Sequence, residues 1–457
     1  MVCLLEGLPP ELHVEILANA PDLPTLHNLI VASPAAYRVF NGFAFEIFMS
    51  VLTSCKFMTR QLRALIEAIA HTRSQFRFFP ARMNTLNDLR RFCLIAEHHF
   101  ALPVRINACP DAPAGSRLNQ IYTAGTSLWY KIPPSILRGI LADAARINRL
   151  ATFCIQDLLE RLTHVEFRRP VDPKFTFRTD KDMWISGRLS LSKAWKRSPE
   201  AERYSPRLDR SVSLAEESIV LWTAWRLQLM ADLKRASDQG IIKKLGWSKR
   251  DLAVVHRAEM GSVFQFTPPL PVADKPMYYA PHSDREWQYH EVNTFVNWLG
   301  AEMPMGDIPL PNLQAMLQSK EAEPGRAWQS LQIEPFSGSV PDEGFYQPEI
   351  RCGTEVFYYL RGCQDSPMRY TMFDPFLPLG MALWDRTRLV DLGLIHSYSD
   401  RRPYAPEAFF FQWRSLLTPE QRAEADERQA ARYAQRVERR RRRAEESERV
   451  RQQHFTE

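Results

Sequence analysis

At 457 residues, with 45% apolar side chains, the chain has length for about two to four domains, or one large multi-lobed one, and can bury a sizeable core. Its net charge is +6, but 11 Arg face 9 Asp plus Glu from Thr418 to the end, and the rest of the excess is spread thinly over the preceding residues. A nucleic-acid surface needs basic side chains gathered on one face, so composition excludes a general polyanion binder.

Organisation first shows in residues 8–40, LPPELHVEILANAPDLPTLHNLIVASPAAYRVF. Leu8, Leu12, Ile16 and Leu17 recur near helical spacing, and Pro9-Pro10 sits where a first helical turn tolerates missing amides. The turn Pro21-Asp22-Leu23-Pro24 stops that helix. Asp22 can accept from the open amides of the next helix, which carries Leu23, Leu26, Leu29 and Ile30. Ser33-Pro34 breaks the chain again before a third short apolar piece with Tyr37, Val39 and Phe40. Three helices this short cannot hide their apolar surface among themselves. Either the rest of the chain covers them or another protein does.

The pattern Leu8-Pro9-x-Glu11, Ile16-Leu17, Leu23, Leu26, Leu29, Ala32-Ser33 and Tyr37 resembles an F-box, over under a tenth of the chain. Two departures stand out: Pro34 falls where many members keep a continuous helix, and Tyr37 replaces a more usual Trp. The resemblance implies docking to the Skp-type adaptor of an SCF cullin–RING ubiquitin ligase. Leu8, Pro9, Leu12, Ile16, Leu17, Leu26 and Leu29 would supply the apolar surface, with Glu11 at its rim. It also implies a substrate receptor that positions an unknown target protein and has no catalytic residues or cofactor of its own. The alternative is a non-ligase interaction scaffold whose N-terminal helices pack internally.

Further along, residues 60–72 put Leu62, Leu65, Ile66 and Ile69 on one helical face. Asn84 or Thr85 can cap a helix burying Leu89, Phe92 and Ile95, and Pro133-Pro134-Ser135 opens a long helical region to about residue 162. Residues 165–177 hold too many prolines for a central strand. Between 186 and 213 basic residues outnumber apolar anchors, which reads as a mobile linker or long surface loop; Ser198-Pro199 and Ser205-Pro206 are candidate phosphorylation sites within it.

Ser213-x-x-Glu216 is a capping signal for a helix reaching about residue 235, with Ile219, Trp222, Leu227 and Met230 on one stripe and Arg226 and Asp232 elsewhere. Ser283-x-x-Glu286 precedes another helix, with Val292, Phe295, Val296 and Leu299. Residues 222–233 and 379–394 also resemble stretches of filamentous-fungal F-box proteins of unknown substrate, which implies a helical C-terminal part. Pro268-Pro269-Leu270-Pro271 is a stiff loop or a polyproline II ligand, and residues 301–350 read as a long proline-rich excursion. Thr418-Pro419-Glu420-Gln421 caps a charged helix with almost no apolar stripe. On it, Arg439, Arg440, Arg441, Arg442 and Arg443 are a candidate nuclear-import signal, or else a solvated face balanced by Glu438, Glu445, Glu446 and Glu448.

The expected fold is therefore mainly α. An F-box-like motif (1–47) leads into a helical block (48–185), a basic linker (186–212), a second helical block with long loops (213–415) and a charged helical tail (416–457). Seven scattered cysteines, none in a C-x-x-C pair, suit reduced thiols. Residues 1–7 lack the pattern of a secretory signal, and the longest apolar tracts fall short of a membrane span. A cytoplasmic or nuclear chain with no membrane partner is expected. Hydrolase and nucleotide-binding signatures are absent. Glu97-His98-His99 is poorly spaced for a metal, and His282, Glu286 and His290 lack a further ligand.

Overall fold

The computed structural model describes residues 4–55, 58, 60–77, 85–89, 131–171, 201–257, 284–300, 313–321, 353–362, 368–395 and 407–454. The sequence expectations at Phe92, Ile95, Glu97-His98-His99, Ser198-Pro199, Pro268–Pro271, His282 and Ser283 lie outside these residues, as does most of 301–350. The described fold is predominantly helical, with one two-stranded antiparallel ribbon. It divides into two compact units, one from 1–159 and 210–350, the other from 160–209 and 351–457.

In the first unit, prolines and caps decide where the opening helices start. Helix α1 (Pro10–Ala18) has Pro10 at its first position. Helix α2 (Leu23–Ala32) is capped by Asp22, whose carboxylate accepts from the Thr25 amide at 2.7 Å. Pro34 opens helix α3 (Pro34–Gly42), with Ser33 accepting from the Ala36 amide. The Ser33-Pro34 break is thus a helix start, since a first-turn proline gives up no hydrogen bond. Helix α4 (Ala44–Ser54) packs on all three, burying Ile47, Phe48, Val51 and Leu52 against them. Its Ser50 hydroxyl donates to the Ala18 carbonyl, and Glu6 accepts from the Ser33 hydroxyl and the Ala35 amide, tying the chain start to the α2–α3 junction. The inner side of the opening helices is therefore covered by this chain itself.

Helix α5 (Arg60–Arg73), the long helix α6 (Pro134–Thr163, whose last residues belong with the second unit) and helix α7 (Leu214–Asp238) build the rest of this core. The capping box at Ser213 and Glu216 forms as the sequence predicts. The single stripe expected on α7 does not describe it. The helix is buried nearly all round, Arg226 and Asp232 included. Arg226 lies over the Trp222 ring, 3.2 Å from its centroid, and Asp232 accepts from Arg73 on α5 at 2.9 Å. Arg73 also pairs with Asp143 of α6, which pairs in turn with Arg146. Desolvation works against the Arg73 charge, but Asp143 and Asp232 outweigh it and hold its pKa above the ordinary value. Helix α8 (Lys249–His256) and helix α9 (Asp284–Trp298) pack on α7, and Trp298 donates to Asp157 of α6 at 2.7 Å. Helix α10 (Leu313–Glu321) meets α6 through the ion pair Arg149–Glu321.

In the second unit, strand β1 (Phe167–Pro170) pairs antiparallel with strand β2 (Ala201–Tyr204), Phe167 opposite Tyr204. Residues 201–204 therefore belong to a ribbon although the sequence places them in a linker. Cross-strand pairs Arg169–Glu202 and Arg203–Glu166 explain how a charged stretch pairs, and Pro170 sits at a strand end, where no ladder donor is lost. Tyr204 donates to the Asp391 carbonyl and lies against Gly393, where φ is +70° and a Cβ would come within 3.0 Å of the Tyr204 ring. The core is aromatic. Phe357 of helix α11 (Gly353–Gly362), Phe373, Phe376 and Trp413 stack edge-on or tilted at 5.1–6.0 Å. Trp413 on helix α13 (Glu407–Ser415) donates to the Leu394 carbonyl just beyond helix α12 (Arg386–Asp391), and Trp384 to that of Leu379. Helix α14 (Pro419–His454) begins with the expected Thr418–Gln421 box and stays exposed along most of its length.

Candidate functional site

Two places combine geometry with chemistry that packing alone does not explain. The first is the outer side of α1. One turn apart, His13 and Leu17 face inward, both buried, while Leu12 and Ile16 face outward at 44% and 39% exposure. The helix thus buries an imidazole and leaves two large aliphatic side chains in water, the reverse of the ordinary preference. His13 is held by its Nδ1, 3.2 Å from the Pro9 carbonyl, while its buried Nε2 meets no partner among the described residues.

The residues assigned to an adaptor surface from sequence divide accordingly. Pro9, Glu11, Leu12 and Ile16 are exposed, and Leu8 and Leu29 are half-buried. Leu17 and Leu26 are core residues, sealed where α1 and α2 meet α4, and as folded they offer nothing to a partner. Within residues 4–55, three large exposed apolar residues lay outside that assignment: Val31 at 71%, Tyr37 and Phe43. Tyr37 was in the family pattern without being counted as a contact; Val31 carries no sequence signal beyond its place at the end of α2.

The second place is a cleft of about 430 Å³ among α2, α5, α6 and α7. Leu23, Leu62, Leu221 and Trp225 form apolar wall, and Asp22, Glu217 and the Arg149–Glu321 pair bring charge to it. Glu217, in the first turn of α7, is 8% exposed. Burial, helped by the charge of Asp22, pushes its carboxyl up to about 7. Burial and then Arg149 lower the pKa of the nearby His27. Sequence reasoning missed this cleft because the capping signal draws attention to Glu216, and nothing local marks its neighbour as buried.

Elsewhere the expected features are plainly placed. Arg439, Arg441, Arg442 and Arg443 are exposed on α14, and Arg441 and Arg442 both pair with Glu438. Glu438 accepts from Arg442 first and Arg441 next, which lowers its pKa. Ser205 is exposed beside β2. Among the described residues no group of three His, Cys, Asp or Glu side chains could hold a metal ion, and no helix is long and apolar enough to cross a membrane. No protein-family model, curated protein or solved structure matches the chain.

Proposed function

We propose that the opening helices dock a partner protein through the outer side of α1, and that the chain is an F-box-like substrate receptor that joins a Skp-type adaptor, and through it a cullin–RING ubiquitin ligase, to an unknown target. The observation that carries the docking part is the reversed burial on α1, where Leu12 and Ile16 stand open while His13 is enclosed. The ligase part rests on the motif from Leu8 to Tyr37. In this reading the chain contributes proximity, raising the effective concentration of target lysines near the charged ligase, and transfer chemistry belongs to other subunits. The basic run on α14 would direct import if the complex works in the nucleus.

Magnitudes limit what α1 does alone. Covering the exposed parts of Leu12 and Ile16 contributes about 1 kcal/mol each, against the roughly 12 kcal/mol of a nanomolar complex. A stable complex therefore draws in further apolar residues, with Pro9, Val31, Tyr37 and Phe43 the exposed candidates on the opening helices and at their ends. The burial of Leu17 and Leu26 favours a second reading in part: the helices are also structural, and a non-ligase scaffold would present the same outer row.

Co-purification of the full chain with a Skp-type adaptor tests the proposal, using the native chain and a Leu12→Asp/Ile16→Asp double variant. Retention by the native chain and loss by the variant, at unchanged helicity, is the expected result. Failure of the native chain to retain the adaptor overturns the ligase reading. Equal retention by both removes α1 as the docking element.

A further inference from the structure

We infer that the cleft among α2, α5, α6 and α7 binds a small organic cation, an ammonium or amidinium group carried on an apolar body. This is independent of the docking reading, since the cleft shares no residue with the outer row of α1. Its volume of about 430 Å³ falls in the range of small-molecule sites, roughly 300–1,000 Å³. Leu23, Leu62, Leu221 and Trp225 suit an apolar body.

The argument for a cation begins with Glu217. Its side chain lines the cleft and is more than nine-tenths buried, and its oxygens accept no hydrogen bond from the described residues while still reaching the cleft's solvent. A carboxyl with so little contact with water is poorly solvated when charged, and a ligand N–H entering the cleft would supply a charged donor. The sign of the field follows from the groups facing it from each neighbouring element. Asp22 stands at the start of α2, the Cys55 thiol at the end of α4, Arg149 on α6 and Glu321 on α10. Arg149 is already engaged by Glu321 at 2.9 Å, so Asp22, held by the Thr25 amide, and Glu217 remain without a counter-ion among the described residues, and an anion would be repelled. No third His, Cys, Asp or Glu joins them into a metal-holding group among the described residues, and the apolar wall favours a carbon skeleton over a bare ion.

A cation needs Glu217 ionised, and with its pKa near 7 the empty site is largely protonated at pH 6. Binding must then expel a proton, so affinity should fall about tenfold between pH 8 and pH 6. The experiment titrates the full chain with a series of primary alkyl- and benzylammonium ions by calorimetry at both pH values. Benzyl alcohol serves as the neutral counterpart, and Glu217→Gln as the variant that keeps shape and removes charge. The expected result is saturable binding by at least one ammonium ion at pH 8, about tenfold weaker at pH 6. Benzyl alcohol and the variant should each lose tenfold or more. No saturable binding by any ammonium ion at pH 8 would overturn the proposal. So would benzyl alcohol binding as well as benzylammonium, or an undiminished Glu217→Gln protein, because the cleft would then be an apolar hollow indifferent to charge.

Discussion

Both units bury aliphatic side chains and some charge, Arg388 of the second included, but the groups that tie their elements together differ. The core of the first is crossed by charge, with Arg73 of α5 bridging Asp143 of α6 and Asp232 of α7 and Arg146 closing the group. The core of the second is built from rings, with Phe357, Phe373, Phe376 and Trp413 in mutual contact and the indole N–H of Trp413 spent on a backbone carbonyl. The difference is one of tolerance. A charged core depends on every member being present, because each desolvated group is held only by its partners. A ring core depends on shape, because close-packed side chains give way only by moving.

The largest effect should come from taking one member out of the charged group. Arg73→Met takes the shared cation from two buried carboxylates, leaving Asp143 with Arg146 alone and Asp232 with Gln228 and the exposed Arg235, and should cost about 3–5 kcal/mol at pH 7, read as a lower urea midpoint. Replacing Arg73, Asp143, Arg146 and Asp232 together by Met and Leu should restore most of that loss, since an apolar filling of similar volume leaves no buried charge of the group without its partner. If the single change proves as mild as the combined one, the group is not a unit and the contrast between the cores fails.

Next in size is Glu217→Gln, which removes a lone buried acid from the first unit. The folded pKa of about 7 lies above the ordinary 4.5, so native Glu217 costs nothing below pH 4.5. Its cost grows as pH rises through the interval to about 7, and is then constant at about 3 kcal/mol. The variant should therefore gain up to that amount at pH 8 and nothing at pH 4.5, measured as thermal midpoints across the range. A gain that does not depend on pH would mean the glutamate is not the group being titrated.

The smallest of the three tests shape in the second unit. A Cβ on Gly353 would fall 2.0 Å from the Met381 carbonyl oxygen and 3.6 Å from Leu389, so Gly353→Ala must push α11 away from backbone that cannot rotate aside. A loss of about 1–3 kcal/mol is expected, read by denaturation together with the fluorescence of Trp384 and Trp413. Wild-type stability in that variant would show the ring core to be looser than its contacts imply.

How much of this could be read from the residues differs by the reach of the interaction involved. Caps are local, and Asp22, Ser213 and Thr418 each accept where their spacing placed them. The helical character follows from periodicity for the same reason. The burial of Asp232 depends on Arg73, 159 residues away, and the ribbon depends on strands about thirty residues apart whose own patterns read as loop. At the candidate docking face, the sequence marked the α1 row but could not separate Leu12 from Leu17. Both fit one broad helical stripe, and only the arrival of α4 decides which is sealed.

The 36 residues of α14 carry one more consequence. Its early turns are fastened by the Thr418 cap, the buried Ala425 and the Arg414–Asp426 pair, while beyond Arg436 it rests on exposed couples such as Arg442–Glu438. Such couples contribute a few tenths of a kcal/mol each and weaken as added electrolyte shortens the reach of their fields. The distal turns should therefore unwind progressively with rising ionic strength while the proximal ones stay wound, so the salt content of the surroundings sets how far this helix extends.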